Sequence, residues 1–438
     1  MDIKRETWGS KLGFILTAIG SALGLGAMWK LPYVIGQNGG SAFLMWFIIF
    51  NLIIGLPLFI GELILGRYSA RGIVSSFLVH KNTNPSWGMV GWLTVLVSLL
   101  ILAWYTVVAG WSIAYILIAL SDAFSGLSKD EIALSFDKFR DSISLNFTFQ
   151  LLFIVLNILV LVKGVSSGIE KWSKFMTSAL FIMLAALAIY ACFLPGFGQG
   201  ISYILYPDFS KLSSKGVLQA LGLALFTLSL SYGVMVTYGS YLKKDNDIPK
   251  TALIVLVANL FASILIAITI FPMIFSFGFE PQAGEGLIFK TLPYVFEQLP
   301  FSMILSVLFF VLLLFAALTS SISMFEVVVA NFTDLTAMSR TKSLIITSLI
   351  VIILGLPNVF KQSFMQINTD LVDLILVFVA LFTTLFIAYK FDAQALKQEF
   401  CLGTKWAFLY KPWLFLIKFI VPLSILLVIL ERFKVFGL

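Results

Sequence analysis

Histidine occurs once and cysteine twice in 438 residues, and acidic and basic side chains together make up only 12% of the chain. Soluble domains carry about 25% charged residues, so a water-exposed globular surface is excluded. A single histidine, His80, beside Lys81 in a polar loop, leaves no material for His-based metal sites or nucleophilic catalysis. It reads as a solvated loop residue. Cys192 and Cys401 fall near a span end and in a loop on opposite sides of the expected membrane, so no disulfide framework is implied. Low-complexity tracts, long linkers and a separate soluble domain are also missing. No cleavable leader is expected: Lys4, Arg5 and Lys11 flank a first apolar segment that is too long and has no small-residue cleavage site. The net charge of +7 is scattered over short loops, which fits cytoplasmic-loop bias better than nucleic-acid binding.

What is present is apolar length. Hydrophobic residues make up 60% of the chain and the mean hydropathy is +1.02. With about 20 apolar residues per crossing, eleven spans are predicted, near 11–36, 41–65, 87–120, 146–163, 171–194, 216–241, 249–278, 302–335, 343–358, 367–390 and 413–431. The third and eighth exceed one crossing, which predicts tilt or extension beyond the bilayer. If the N-terminus is cytoplasmic, eighteen Lys and Arg fall on the inner side against nine on the outer. That distribution favours this orientation, and an odd span number puts the C-terminus outside. The expected location is the inner (plasma) membrane. Two outer loops are long: 121–145, expected to be partly helical, and 279–300, which holds Pro281, Gly284, Gly286 and Pro293 and could dip back as a lid.

The most informative stretch lies inside the first span. Gly20-Ser21-Ala22-Leu23-Gly24-Leu25-Gly26 places three glycines at mid-membrane depth, each disfavouring a continuous helix by about 1 kcal/mol relative to alanine. Irregular backbone survives there only where protein or a cavity satisfies it. Such a break frees carbonyls for a cation and a helix N-terminus for an anion. A second break is predicted at Phe226-Thr227-Leu228-Ser229-Leu230-Ser231-Tyr232-Gly233, in the sixth span. The first and sixth spans open two five-span halves, 11–194 and 216–390, followed by an eleventh helix at 413–431. Matching interruptions point to an inverted-repeat transporter with a mid-membrane site. Packing motifs of small residues are the bland alternative.

The opening KRETWGSKLGFILTAIGSALGLGAMWKLPYVIGQNGGSAF, with GELILGRY (61–68), LFTLSLSYG (225–233), TYGSYLKKDNDI (237–248) and FAALTSSIS (315–323), resembles the neurotransmitter:sodium symporter family, especially its prokaryotic amino-acid members. The resemblance covers the chain to the tenth span. It implies an all-α membrane protein of eleven transmembrane helices, a five-plus-five inverted repeat with unwound helices 1 and 6, in which a sodium gradient drives amino-acid uptake.

The same resemblance implies residue roles. One sodium site would use carbonyls of Gly20, Leu23 and Ala316 and the hydroxyls of Thr319 and Ser320. Oxygen dipoles suit a hard cation without burying a full counter-charge. The other would use Ala22, Thr227 and Asn259, but Ala27 stands where the family has a ligating asparagine. Ser263 stands where chloride-dependent members have a serine, with Thr227 and Asn259 beside it, while Phe47 and Leu223 replace two usual anion donors. The substrate carboxylate would meet the amides of Leu25 and Gly26 and the hydroxyl of Tyr105. Its amine would meet carbonyls of Ala22, Phe226 and Thr227 and the hydroxyl of Ser229, with Ser21 also in the substrate site, within walls of Ile101, Tyr105, Phe226, Tyr232, Ser320, Ser323 and Met324. Gly24 replaces the aspartate of biogenic-amine carriers, so the substrate brings its own carboxylate. Lys30 with Asp373 (Asp370 is the runner-up) would form an outer latch, and Arg5, Trp8, Tyr241 and Asp334 an inner gate. Glu62 should be satisfied by the unwound part of the sixth span; Glu326 has no assigned role and could be a proton site. The family's glycine-to-proline spacing in the fifth span is absent, because Ser178 follows Gly168 at that distance, so any unwinding there must use another route.

The expected function is sodium-coupled symport of a neutral, aliphatic or aromatic amino acid by alternating access. One sodium ion is expected, with a second sodium and chloride left open, and the chain is a monomer or homodimer in the bilayer. The alternatives are a proton-coupled amino-acid or amine carrier and a non-transporting amino-acid sensor. An enzyme is not expected.

Overall fold

The computed structural model describes residues 5–79, 84–280 and 286–433, so His80 and the middle of the expected lid, 281–285, lie outside the described residues. Nine of the described helices are long and apolar enough to cross a membrane, and a tenth arises if one bent pair counts as a single span. They are Ser41–Ser69, Pro85–Leu120, Ile143–Leu161, Val165–Ala191, Ile248–Ser276, Ser302–Thr336, Arg340–Phe360, Ser363–Tyr389 and Ala407–Arg432. The third and eighth expected spans are the longest, at 36 and 35 residues. The expected boundaries are met within a few residues. Three of the shifts reflect capping: Ser213, Asp247 and Ser339 accept from backbone amides and start helices just before the apolar run.

The bent pair is the first expected span, Lys11–Ala22 and Gly26–Gln37, which turn by 47°. Ser10 caps its start by accepting from the Gly13 amide at 3.0 Å. The sixth expected span is in two pieces, Ser214–Thr227 and Val234–Gly239, each too short to cross alone. Between them Ser229, Ser231 and Gly233 all have positive φ. Glycine adopts that region freely, whereas the two serines are held there by their surroundings.

Burial separates the core from the lipid-facing helices. The most apolar stretch of Pro85–Leu120 is 78% buried, against 33% for Ile143–Leu161 and Ala407–Arg432. Pro85–Leu120 packs against Ser302–Thr336, Ile143–Leu161, Arg340–Phe360 and the tenth expected span. The first piece of the first span packs against Lys171–Ala191, Ser302–Thr336 and Ile248–Ser276, and Val234–Gly239 lies on Leu56–Ser69. Both breaks are therefore wrapped by long helices.

The long outer segments are partly helical, with Lys129–Asp141 in the first and Leu287–Glu297 in the second. Ser128 and Glu131 form a capping box at the start of the former. Cys401 ends a short helix, Ala393–Cys401, where the sequence reading expected loop; both cysteines are free.

Candidate functional site

The helix break at Ala22 frees the carbonyls of its last turn, and neighbouring elements take them up. The Thr319 hydroxyl lies 2.8 Å from the Gly20 carbonyl oxygen, 2.9 Å from that of Phe315 and 3.1 Å from that of Ala316. Ser229, from the second break, donates to the Ser21 carbonyl at 2.9 Å. Ser21 Oγ donates to Ser323 Oγ at 2.8 Å, and Ser323 Oγ to the Ser320 carbonyl at 2.6 Å. Three separate elements are thus stitched together by hydroxyls at the breaks. Thr319, Ser320 and Ser323 share the helix Ser302–Thr336, whose four- and three-residue spacings bring them to one face.

On the other side of the break, the Leu25 amide donates to Tyr105 Oη at 3.1 Å. Gly24 has no room for a side chain: a β-carbon there would stand 2.6 Å from Ser320 Oγ and 3.0 Å from Tyr105 Oη. A small cavity of about 20 Å³ lies at the centre, lined by Ser21, Ala22, Gly24, Gly26, Ile101, Tyr105, Phe226, Thr227, Ser229, Tyr232, Ser320 and Met324. The expected substrate wall therefore converges on one place, with Gly24 added, Ser323 joined through Ser21, and Leu25 just outside. Phe226 is shared with a larger cavity of about 420 Å³, whose lining includes Trp29, Lys30, Trp104 and Asp373. Gly26 lines both as well.

Lys30 Nζ is 3.7 Å from Asp373 Oδ2 and 5.1 Å from the centre of the Phe226 ring. Asp370 instead accepts from Gln366 at 2.9 Å, so Asp373 is the lysine's partner. Lysine makes a point contact where arginine would make a fork, and both groups are partly exposed, at 41% and 30%.

The N-terminal side is tied more tightly. Arg5 donates from Nη1 to both Asp334 oxygens at 2.7 and 2.9 Å and from Nε and Nη2 to Ser240 Oγ, and lies 4.6 Å over the Tyr241 ring. Trp8 is buried and its indole donates to the Tyr238 carbonyl at 3.0 Å. Glu326, which the sequence left without a role, is fully buried beside these groups. It accepts from Tyr241 Oη at 2.6 Å and forms a forked ion pair with Arg340. Arg340 also donates to the Leu161 carbonyl at 2.9 Å and approaches Glu6 at 3.9 Å. Sequence reading missed Arg340 because a basic residue opening a span looks like ordinary charge bias.

Two carboxylates cross-cap the first and fifth spans. Glu170 accepts from the Gly9 amide at 2.6 Å and Ser10 Oγ at 2.8 Å, while Glu6 accepts from the Val165 amide. The fifth span starts as a wide π-helical turn, Val165–Glu170, containing Gly168. Glu62 Oε1 accepts from the Ser231 amide at 2.7 Å in the second break, while its Oε2 has no hydrogen-bond partner, so the expectation is met at one oxygen only.

The remaining expected ligands are less complete. Asn259 is fully buried with neither amide atom hydrogen-bonded, and Ala27 is fully buried too. Ser263 Oγ donates at 2.8 Å to the carbonyl of Asn259, in its own helix. Phe47 and Leu223 are buried and offer no side-chain donor. Among the described residues no group of three or more His, Cys, Asp or Glu could hold a metal ion. The oxygens at the breaks are carbonyls and hydroxyls, a donor set for a hard monovalent cation.

Comparison with known proteins agrees with this geometry. Residues 5–128 and 128–437 match the model of the sodium:neurotransmitter symporter family. An uncharacterised sodium-dependent transporter, YhdH, of Bacillus subtilis is 38% identical, with 98% of each chain covered. Another uncharacterised sodium-dependent transporter, from Haemophilus influenzae, is 33% identical over 98% of each. The crystal structure of MhsT in complex with L-phenylalanine superposes with a TM-score of 0.89 at 34% identity, covering 97% of this chain and 99% of that one. The chain therefore belongs to the sodium:neurotransmitter symporter family, a family of membrane transporters.

Proposed function

We propose that the chain is a symporter that couples sodium entry to uptake of a neutral amino acid, aliphatic or aromatic, by alternating access. The observation that carries the proposal is the meeting of two broken helices at one hydroxyl-lined chamber, with Thr319 on the Gly20 carbonyl and Tyr105 on the Leu25 amide. The L-phenylalanine bound by MhsT supports the substrate class. If each broken helix counts as one crossing, the chain has eleven spans in two five-span halves plus a last helix. The N-terminus is then cytoplasmic and the C-terminus outside.

In this reading sodium is cargo. Gly20, Leu23 and Ala316 supply carbonyls and Thr319 and Ser320 hydroxyls; the Thr319 proton turns away when the ion enters. A second sodium would rest on Ala22, Thr227 and Asn259, and Ala27 leaves it one ligand short. One coupled sodium is our reading. Ser263, Thr227 and Asn259 make a poor chloride site, because the Ser263 hydroxyl is spent on its own helix. The amides of Leu25 and Gly26, at the start of the second helical piece, hold the substrate carboxylate with Tyr105. Ser21, Ala22, Phe226, Thr227 and Ser229 face the amine, and Ile101, Tyr232, Ser320, Ser323 and Met324 face the side chain.

Access is controlled at two ends. Arg5, Trp8, Tyr241 and Asp334 close the inner side, joined by Glu326 and Arg340. The outer side is held by Lys30, Asp373 and the Phe226 ring. A partly exposed pair such as Lys30–Asp373 contributes at most about 1 kcal/mol, so the outer end opens first. Binding shifts the population between the two closures according to its differential affinity.

A thermal-shift screen of the purified protein across neutral amino acids, in sodium and in choline buffer, tests the proposal. Stabilisation by at least one amino acid that requires sodium is expected. Equal stabilisation in both buffers would contradict sodium coupling.

A further inference from the structure

One residue that lines the central chamber carries a buried hydroxyl that the protein does not satisfy. That residue is Tyr232, 3% exposed, whose Oη has no hydrogen-bond partner. The residue is held at two other points. Its carbonyl accepts from Ser98 at 2.7 Å, and its ring stands edge-on to Phe226 with centroids 5.8 Å apart. Most of the other hydroxyls are already engaged: Ser21 with Ser323, Ser323 with the Ser320 carbonyl, Ser229 with the Ser21 carbonyl, Thr227 with the Ala224 carbonyl, and Tyr105 with the Leu25 amide, while Ser320 also lines the chamber. The nearby apolar walls, Ile101 and Met324, offer Tyr232 Oη nothing. Leaving a buried hydroxyl unpaired is unfavourable, and phenylalanine would fill the same space without that cost.

We infer that the chamber takes a neutral amino acid whose side chain ends in a hydroxyl or carboxamide, with Tyr232 Oη as its hydrogen-bond partner. The inference rests on the symporter reading and narrows its substrate class. A phenol can donate or accept, so it serves either terminal group. Charged side chains are disfavoured, because no ionisable acid or base lines the chamber and the Lys30–Asp373 pair belongs to the cavity beyond Phe226. A site that hydrogen-bonds a substrate hydroxyl rejects the analogue lacking it, because its own polar group is then left unpaired.

Two nearly isosteric pairs test this: threonine against valine, and tyrosine against phenylalanine. Affinities are measured in saturating sodium for the full chain and for Tyr232→Phe. In at least one pair the hydroxylated member should bind about tenfold tighter to the native protein, a difference that one hydrogen bond supports. Tyr232→Phe should bring that ratio close to one by weakening the hydroxylated member alone. A native preference for valine and phenylalanine, or an unchanged ratio in the variant, overturns the inference. An ordered water serving the hydroxyl would give that unchanged ratio. Melting temperature and stabilisation by sodium alone report whether the variant folds; if it does not, the native ratios decide. If neither pair binds while a neutral amino acid with neither a hydroxyl nor a carboxamide binds with sodium, the side-chain assignment fails and the symporter reading stands; if asparagine or glutamine binds instead, Tyr232→Phe must weaken it or the assignment fails. If no amino acid responds to sodium, both fail.

Discussion

Thr319 sits where a carbonyl freed by one helix break meets a turn of a packed helix, 2.8 Å from the Gly20 oxygen. Losing one oxygen from a cation's shell removes an interaction of about 1.5–3 kcal/mol. Thr319→Ala is therefore expected to weaken sodium affinity by about ten- to a hundred-fold, read from sodium titrations of melting temperature. Ser323→Ala, which removes a hydroxyl bonded to Ser21, should leave sodium affinity within about threefold if the ion is held by the oxygens proposed here. Asn259 makes a second case. Its amide is buried with both polar atoms unpaired, an expensive arrangement in a membrane interior. Ala27→Asn should restore a missing ligand and raise sodium affinity or stoichiometry; isothermal titration calorimetry would report the change. An unchanged isotherm would mean that Asn259 serves some other group.

At the scale of elements, the two broken helices were legible because glycine and serine clusters at mid-membrane depth conflict with helix continuity. The first break follows Ala22, as its three glycines indicate. The second falls at 228–233, and its chemistry was less obvious: Ser229 and Ser231 adopt positive φ, which propensity alone does not foresee. The Glu62 contact to the Ser231 amide supplies part of the missing constraint. Cross-capping of the first and fifth spans by Glu170 and Glu6 was not legible. Those carboxylates lie some 160 residues from their partners, and no local pattern marks such a pairing. Glu170 reaches the Gly9 amide, Ser10 and Lys174. Glu170→Gln should loosen both helix ends. Faster hydrogen exchange over Ser10–Phe14 and Val165–Glu170, with no change around Lys30 and Asp373, is the expected pattern. Uniform destabilisation would instead show that Glu170 acts as general packing.

Across the whole molecule, the two ends are closed by interactions of unequal strength. Glu326 and Arg340 form a buried ion pair, and removing one partner of such a pair typically costs about 3–5 kcal/mol. Glu326→Gln should therefore raise accessibility from the N-terminal side, measured as faster hydrogen exchange over Val234–Gly239. Lys30→Ala should change access from the opposite side only slightly. The all-helical, many-span architecture was readable from span lengths, since bilayer thickness and backbone satisfaction leave few alternatives. The identity of Arg340 as a partner of Glu326 was hidden, because a cation at a span end is ordinary in any membrane protein. The central claim is that peptide groups released by two helix breaks hold sodium beside an amino acid and so couple their movements. Uptake into vesicles containing the purified chain tests it most directly. With a neutral amino acid that the thermal-shift screen selects, an inward sodium gradient should drive accumulation above the external concentration, and Thr319→Ala should abolish that accumulation. Equal accumulation driven by a proton gradient in sodium-free buffer would contradict the account.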